Sequence, residues 1–169
     1  MTIKIGDSLP AGTLFESVGQ DAAKNCPMPP QPVDMTALTA GKKVVIFGLP
    51  GAFTPTCSAQ HVPGYLKNFD ALKAKGVDTV VCMSVNDGFV MGAWGQSQHV
   101  GDKIRMLGDG SGAFTKALGL ELDLTAKGMG VRCQRFSLLV DNGVVKQVNV
   151  EGVGPANCSF AENMLAQLG

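Results

Sequence analysis

The sequence predicts an α/β domain with a mixed central sheet flanked by helices, and three observations predict it. The runs Lys43-Val44-Val45-Ile46-Phe47-Gly48 and Val77-Asp78-Thr79-Val80-Val81-Cys82-Met83-Ser84 are apolar and β-branched, and each leads into a segment of helical periodicity. That succession gives parallel strands joined by right-handed crossovers. Further on, Asp141-Asn142-Gly143 separates two β-rich runs, residues 135–140 and 144–150. Asn-Gly in that setting signals a hairpin, which adds antiparallel strands. The 169 residues, 45% of them hydrophobic, suit a single domain spanning 1–169 with a full core.

In chain order, Thr13-Leu14-Phe15-Glu16-Ser17 reads as an edge strand. Cys26-Pro27-Met28-Pro29-Pro30-Gln31-Pro32 reads as a proline-rich loop without regular structure, and Cys26 as an exposed bystander. Residues 34–39 form a short turn or helix. After the strand at 43–48, a helix covers residues 55–75. Pro55 suits its first turn, Pro63-Gly64 should kink or break it, and Gly76 ends it. Tyr65, Leu66, Phe69 and Leu72 recur at helical spacing and make its inner face. The strand at 77–84 encloses Cys82, which reads as core packing. Asn86-Asp87 caps a helix through Phe89, Val90, Met91 and Trp94, and residues 104–107 are a third strand. Gly108-Asp109-Gly110-Ser111-Gly112-Ala113 then turns into a helix over residues 114–118. Dinucleotide sites also open on a strand, a glycine-rich turn and a helix, but three alternate glycines are not GxGxxG, and no GK[ST] phosphate loop occurs. Residues 121–131 form a glycine-containing loop and residues 152–157 another. Ser159 caps a last helix carrying Phe160, Met164, Leu165 and Leu168.

Charge and cysteine usage exclude several classes. Lys plus Arg number 14, as do Asp plus Glu, so the formal net charge is zero. That argues against a nucleic-acid partner held by bulk charge. No apolar run is long enough to cross a membrane, and the first residues lack a signal-peptide core, so the expectation is a soluble, cytoplasmic protein without a membrane partner. The five cysteines, Cys26, Cys57, Cys82, Cys133 and Cys158, are odd in number and form no Cys-x-x-Cys. This is neither a disulfide framework, a zinc ribbon nor a dithiol redox motif. His61 and His99 alone make no His-rich metal site. In a reducing compartment such thiols are core residues or reactive ones.

Cys57 has the chemical setting of a reactive thiol. It ends the stretch Leu49-Pro50-Gly51-Ala52-Phe53-Thr54-Pro55-Thr56-Cys57 that leaves the first central strand and enters a helix. Free N–H groups and the positive end of the helix dipole favour a thiolate there. Pro50 gives the loop a rigid corner, and Thr54 puts a hydroxyl one short turn before the sulfur. A lone cysteine at a helix start reads as a packing residue; Pro, Thr and Cys in this order do not. His61, four residues on, either shares a face with the sulfur as its base or caps local polar groups, and a thiol already ionised needs no base.

Pro50-x-x-x-Thr54-x-x-Cys57 resembles the active-site motif of the peroxiredoxins. The wider run of residues 48–58, together with Ser84-Val85-Asn86-Asp87-x-Phe89-Val90 and Arg135-Phe136-Ser137, is similar to the atypical subfamily of mammalian type V and plant type II enzymes. The similarity covers nearly the whole chain. It implies a thioredoxin-like fold and an antioxidant enzyme that reduces hydrogen peroxide and organic hydroperoxides. By that resemblance Pro50, Thr54, Cys57 and Arg135 form the active-site set, without metal or bound cofactor. The residue chemistry agrees. The attacking thiol must be ionised near pH 7, against about 8.5 for a free thiol. Thr54 and Arg135 can hydrogen-bond the departing oxygen, and Pro50 can shield the sulfenic acid. Arg132 is the rival cation, but Arg135 enters an apolar strand, where a charge needs a reason to be.

The resemblance also bears on how the sulfenic acid is resolved. Cys158 matches the resolving cysteine of the mammalian type V enzymes and stands in a loop, where a thiol can move. Cys82 matches the second cysteine of the plant type II enzymes but lies in a buried strand, so the expectation is a Cys57–Cys158 disulfide. Direct attack by glutathione is the alternative. The resemblance implies glutathione with glutaredoxin, or thioredoxin, as the reductant. Related enzymes associate through the active-site face, which implies a homodimer served by residues such as Phe53, Phe89 and Trp94. A peroxide-sensing interaction protein that uses Cys57 oxidation as a switch is the competing class, and a nucleotide-binding module on the 108–113 loop a weaker one.

Overall fold

Side chains alternate across the two central strands, and that alternation sets the architecture. In the computed structural model, which describes residues 1–152 and 155–169, Val44 and Ile46 pack on one face while Val45 and Phe47 pack on the other. In the next strand Val81 and Met83 oppose Val80 and Cys82 in the same way. Both faces are covered, which is why the two runs read as continuously apolar.

The chain opens with β1 (Thr13–Glu16), β2 (Gln20–Asp21), β3 (Cys26–Pro27), β4 (Gln31–Asp34) and α1 (Met35–Thr39). The central part holds β5 (Lys43–Gly48), a π-helical turn (Cys57–His61), α2 (Val62–Lys67), α3 (Phe69–Ala74), β6 (Thr79–Ser84), α4 (Gly88–Ser97), β7 (Ile104–Gly108) and α5 (Ala113–Leu118). The last part is β8 (Glu121–Asp123), a 3-10 turn (Thr125–Lys127), β9 (Val131–Cys133), β10 (Phe136–Asp141), β11 (Val144–Val150) and α6 (Ala161–Gln167). Seven strands form the main sheet in the order β11-β10-β5-β6-β7-β1-β4. The pairs β5–β6 and β6–β7 are parallel; the others are antiparallel. This is the expected mixed sheet, and the fold is thioredoxin-like.

Several local expectations need correction. Residues 13–17 are not an edge: β1 lies between β7 and β4. The edge is β4, which places Pro32 where its missing N–H matters least. The proline-rich loop therefore contains two short strands, and Cys26 is half-buried in one of them. The long helix breaks at Asn68 (φ −97°, ψ 6°), not at Pro63-Gly64. The Asn68 amide donates to the Gly64 carbonyl, competing with the helix ladder. Pro63 is tolerated because it falls in the first turn of α2, after a wide turn in which the Val62 N–H donates to the Cys57 carbonyl. Residues 121–131 are a β8–β9 ladder with a 3-10 turn rather than a plain loop. Ser159 does not cap α6; Phe160 occupies that position without a side-chain bond, and the Ser159 hydroxyl donates to Glu151 instead. Arg135 stands in the bend just before β10, not inside the strand.

Candidate active site

Three strand ends meet where β5 stops. Beyond Gly48, the Leu49 N–H donates to the Met83 carbonyl at 3.3 Å. The Cys133 thiol donates to the Leu49 carbonyl at 2.9 Å. Asn86 accepts from the Ala52 N–H at 3.0 Å and from the Ser84 hydroxyl at 2.8 Å, so the loop is tied to the end of β6 as well. Asp87, not Asn86, caps α4 through the Val90 N–H. Gly48 faces Phe136 across the sheet, and a Cβ at position 48 would overlap the Phe136 ring. Phe53 turns the loop with φ +61° and is exposed.

The helix starts at Pro55, and Cys57 lies in its first turn, fully buried among Phe47, Leu49 and Tyr65. Pro50 is half-buried at the loop corner. The Thr54 hydroxyl donates to the Gly51 carbonyl at 2.7 Å, so its hydrogen is not available to a departing oxygen, contrary to what the sequence suggests, and its oxygen is free to accept instead. Trp94 from α4 donates to the Ser58 hydroxyl at 3.1 Å. Arg135 joins the two sides: Nη2 lies 3.2 Å from the Cys57 Sγ, and Nη1 lies 3.0 Å from His61 Nδ1. Arg132 does not reach the sulfur; it donates to the carbonyls of Met129 at 2.7 Å and Val85 at 3.4 Å.

His61 is not placed as a base. Its Nε2 lies 3.2 Å from the Ser159 carbonyl, which can only accept, so the ring hydrogen is on Nε2 and the Nδ1 lone pair faces Arg135. Burial first, and then the Arg135 charge, bring its pKa down to about 3. The Tyr65 hydroxyl donates to the same Ser159 carbonyl at 2.8 Å. The four-residue spacing from Cys57 pointed to His61, but nothing in the sequence pointed to its partner on Ser159.

The other thiols sit in different settings. Cys82 pairs with Phe47 in register, fully buried, and burial pushes its pKa well up. Burial also pushes Cys133 up to about 12. Cys158 is half-buried, and burial followed by the Glu151 carboxylate raises it to about 11. Glu151 accepts from the N–H groups of Asn157 and Ser159 and from the Ser159 hydroxyl, tying this segment to the end of β11.

A buried thiol facing a guanidinium at the end of a central strand is a setting for nucleophilic chemistry. Comparison with known proteins gives it a family. Residues 4–165 match the Redoxin family. The rice protein Peroxiredoxin-2C (Oryza sativa subsp. japonica) is 50% identical over 166 residues, 98% of this chain and 98% of that one. This chain belongs to the peroxiredoxins. Among solved structures, this peroxiredoxin is similar to reduced Prx3 from Vibrio vulnificus in complex with hydrogen peroxide. The two are 48% identical with a TM-score of 0.87, over 99% of this chain and 100% of that one. It is also similar to a Burkholderia cenocepacia chain provisionally described as a thioredoxin reductase. There the identity is 52% and the TM-score 0.93, over 100% and 99% of the two chains. Membership makes this peroxiredoxin a thiol peroxidase, an oxidoreductase that takes a peroxide substrate and a thiol reductant.

Proposed function

We propose that this peroxiredoxin reduces hydrogen peroxide and organic hydroperoxides through Cys57, and the observation that carries the reading is the Arg135 guanidinium 3.2 Å from the Cys57 sulfur. The thiolate attacks the terminal peroxide oxygen. The S–O bond forms as the O–O bond breaks, and the leaving alkoxide or hydroxide takes up a proton as alcohol or water. Cys57 is left as sulfenic acid. Arg135 holds the thiolate and follows the charge as it moves onto oxygen. The free lone pairs of Thr54 accept from the peroxide O–H, and Pro50 walls off water.

A second thiol then condenses with the sulfenic acid, releasing water and forming a disulfide. Glutathione with glutaredoxin, or thioredoxin, reduces that disulfide back to thiol. Cys158 is our choice for the second thiol, because its segment is tied by side chains and turns rather than by the sheet; Cys82 is locked in β6. Direct attack by glutathione has one observation in its favour: the Cys158 thiol is held in its protonated form by burial and by Glu151. Mass-spectrometric mapping after one equivalent of peroxide decides between them. A Cys57–Cys158 peptide supports internal resolution. Persistent sulfenic acid, with Cys158→Ser fully active on glutathione and glutaredoxin, rejects it.

A homodimer is part of the same proposal. Phe53 and Phe89 are exposed on the loop side of the site and suit an interface. Trp94, grouped with them on sequence, is fully buried and belongs to the core. Sedimentation of the reduced protein at micromolar concentration should give a dimer; monomer alone would reject it. The five unpaired cysteines fit a reducing compartment, in our reading the cytoplasm.

A further inference from the structure

Arg135 hangs from a bend, half-buried, and a guanidinium on a flexible stem points where its partners hold it. One partner is the Cys57 sulfur and the other is His61 Nδ1. An imidazole can hold a guanidinium only through a lone pair. In the opposite tautomer, or when protonated, it would turn an N–H toward Arg135 and repel it. The Ser159 carbonyl settles the tautomer, since it takes the hydrogen of Nε2 at 3.2 Å. The rings of Phe47, Phe160 and Tyr65, with centroids at 4.9, 5.1 and 5.7 Å, hold the imidazole plane. The charged and titratable groups facing His61 are Arg135 from the bend before β10, Tyr65 from α2 and Glu151 from the end of β11. Burial and Arg135 outweigh Glu151, so the ring is neutral wherever a peroxidase works.

We propose that His61, fixed in its Nε2–H tautomer by the Ser159 carbonyl, is a positioning residue that aims Arg135 at the Cys57 sulfur. The proposal rests on the reading that Arg135 acts on Cys57. His61 touches neither peroxide nor the reacting atoms; it acts through the guanidinium. The three residues come from separate parts of the chain, and hydrogens are donated in one direction, from Arg135 to His61 and from His61 to Ser159.

The test uses the full chain and two substitutions. His61→Phe keeps a ring against Phe47 and Phe160 but offers Arg135 no acceptor. His61→Asn keeps an acceptor near the place of Nδ1. Two quantities are read: the single-turnover rate with hydrogen peroxide, and the pH profile of Cys57 alkylation by iodoacetamide, followed on the Cys57 peptide. His61→Phe should slow peroxide reduction at least tenfold and move the alkylation profile to higher pH, as Arg135→Met does. His61→Asn should recover most of both. The double variant His61→Phe/Arg135→Met should be no slower than Arg135→Met alone, because the two residues act as one unit. A purely structural role would not move the profile and restore it with Asn. Should His61→Phe fail to fold, His61→Gln replaces it. A glutamine amide stands in for Nε2 rather than for Nδ1, and the same loss is expected. A His61→Phe or His61→Gln protein within twofold of the parent rate, beside a slow Arg135→Met, overturns the proposal. Full rates in both His61→Phe and Arg135→Met instead overturn the reading beneath it.

Discussion

Cys57 and Cys133 are both wholly buried thiols, one in each half of the core, and each makes a side-chain hydrogen bond of opposite direction. Cys57 receives one from the Arg135 guanidinium. Cys133 gives its hydrogen to the Leu49 carbonyl. Receiving from a cation favours the thiolate, whereas giving to a carbonyl requires the thiol. Burial, shared by the two, therefore says little about reactivity. In the function we propose, one thiol attacks, and the other fastens the loop that leads to it.

The largest expected effect tests that contrast head on. Cys57→Ser should abolish turnover in a coupled assay with thioredoxin or glutaredoxin. Cys133→Ser should stay near the parent rate, because a hydroxyl can give the same bond to Leu49. Substantial turnover in Cys57→Ser would break the comparison. The next effect concerns the donor. Arg135→Met should slow peroxide reduction by roughly tenfold to a thousandfold, the range for a single electrostatic donor. Arg132→Met, whose side chain serves Met129 and Val85, should change it little. The reverse ranking would move the activating role to Arg132.

The smallest effect is on stability in acid. His61 titrates at about 3 in the fold against 6.5 when free, so as pH falls below 6.5 the unfolded chain takes up a proton that the folded one refuses. Stability should drop between about pH 6.5 and 3 by an amount on the order of a few kcal/mol. His61→Asn should flatten that part of the profile in thermal melts taken across the range. An unchanged slope in His61→Asn would show that another group controls the acid limb.

What the sequence carried of the fold was local. β-branched runs, the Asn-Gly turn and helical spacing gave the main strands and helices, because each is written in neighbouring residues. The edge is not written there, because strand order is long-range: β1 pairs with β7, far along the chain. The helix passes Pro63 because a π-helical turn precedes it, and such a turn has no composition of its own. The site divides the same way. Pro50, Thr54 and Cys57 stand in one short stretch. The contact between Cys57 and Arg135 spans 78 residues, and only family resemblance and the oddity of a charge beside an apolar run point to Arg135. The Ser159 carbonyl, 98 residues from His61, is a backbone atom, and no side-chain pattern can announce it.

Gly48 leaves a constraint that shows only when the gene is varied. The Phe136 ring occupies the space where any other residue would carry its first carbon, and Phe136 is the chain neighbour of Arg135. A methyl group there would displace the ring at the point where the chain leaves Arg135 for β10. In a saturation library, position 48 should therefore tolerate glycine alone, although it contributes no atom to the chemistry.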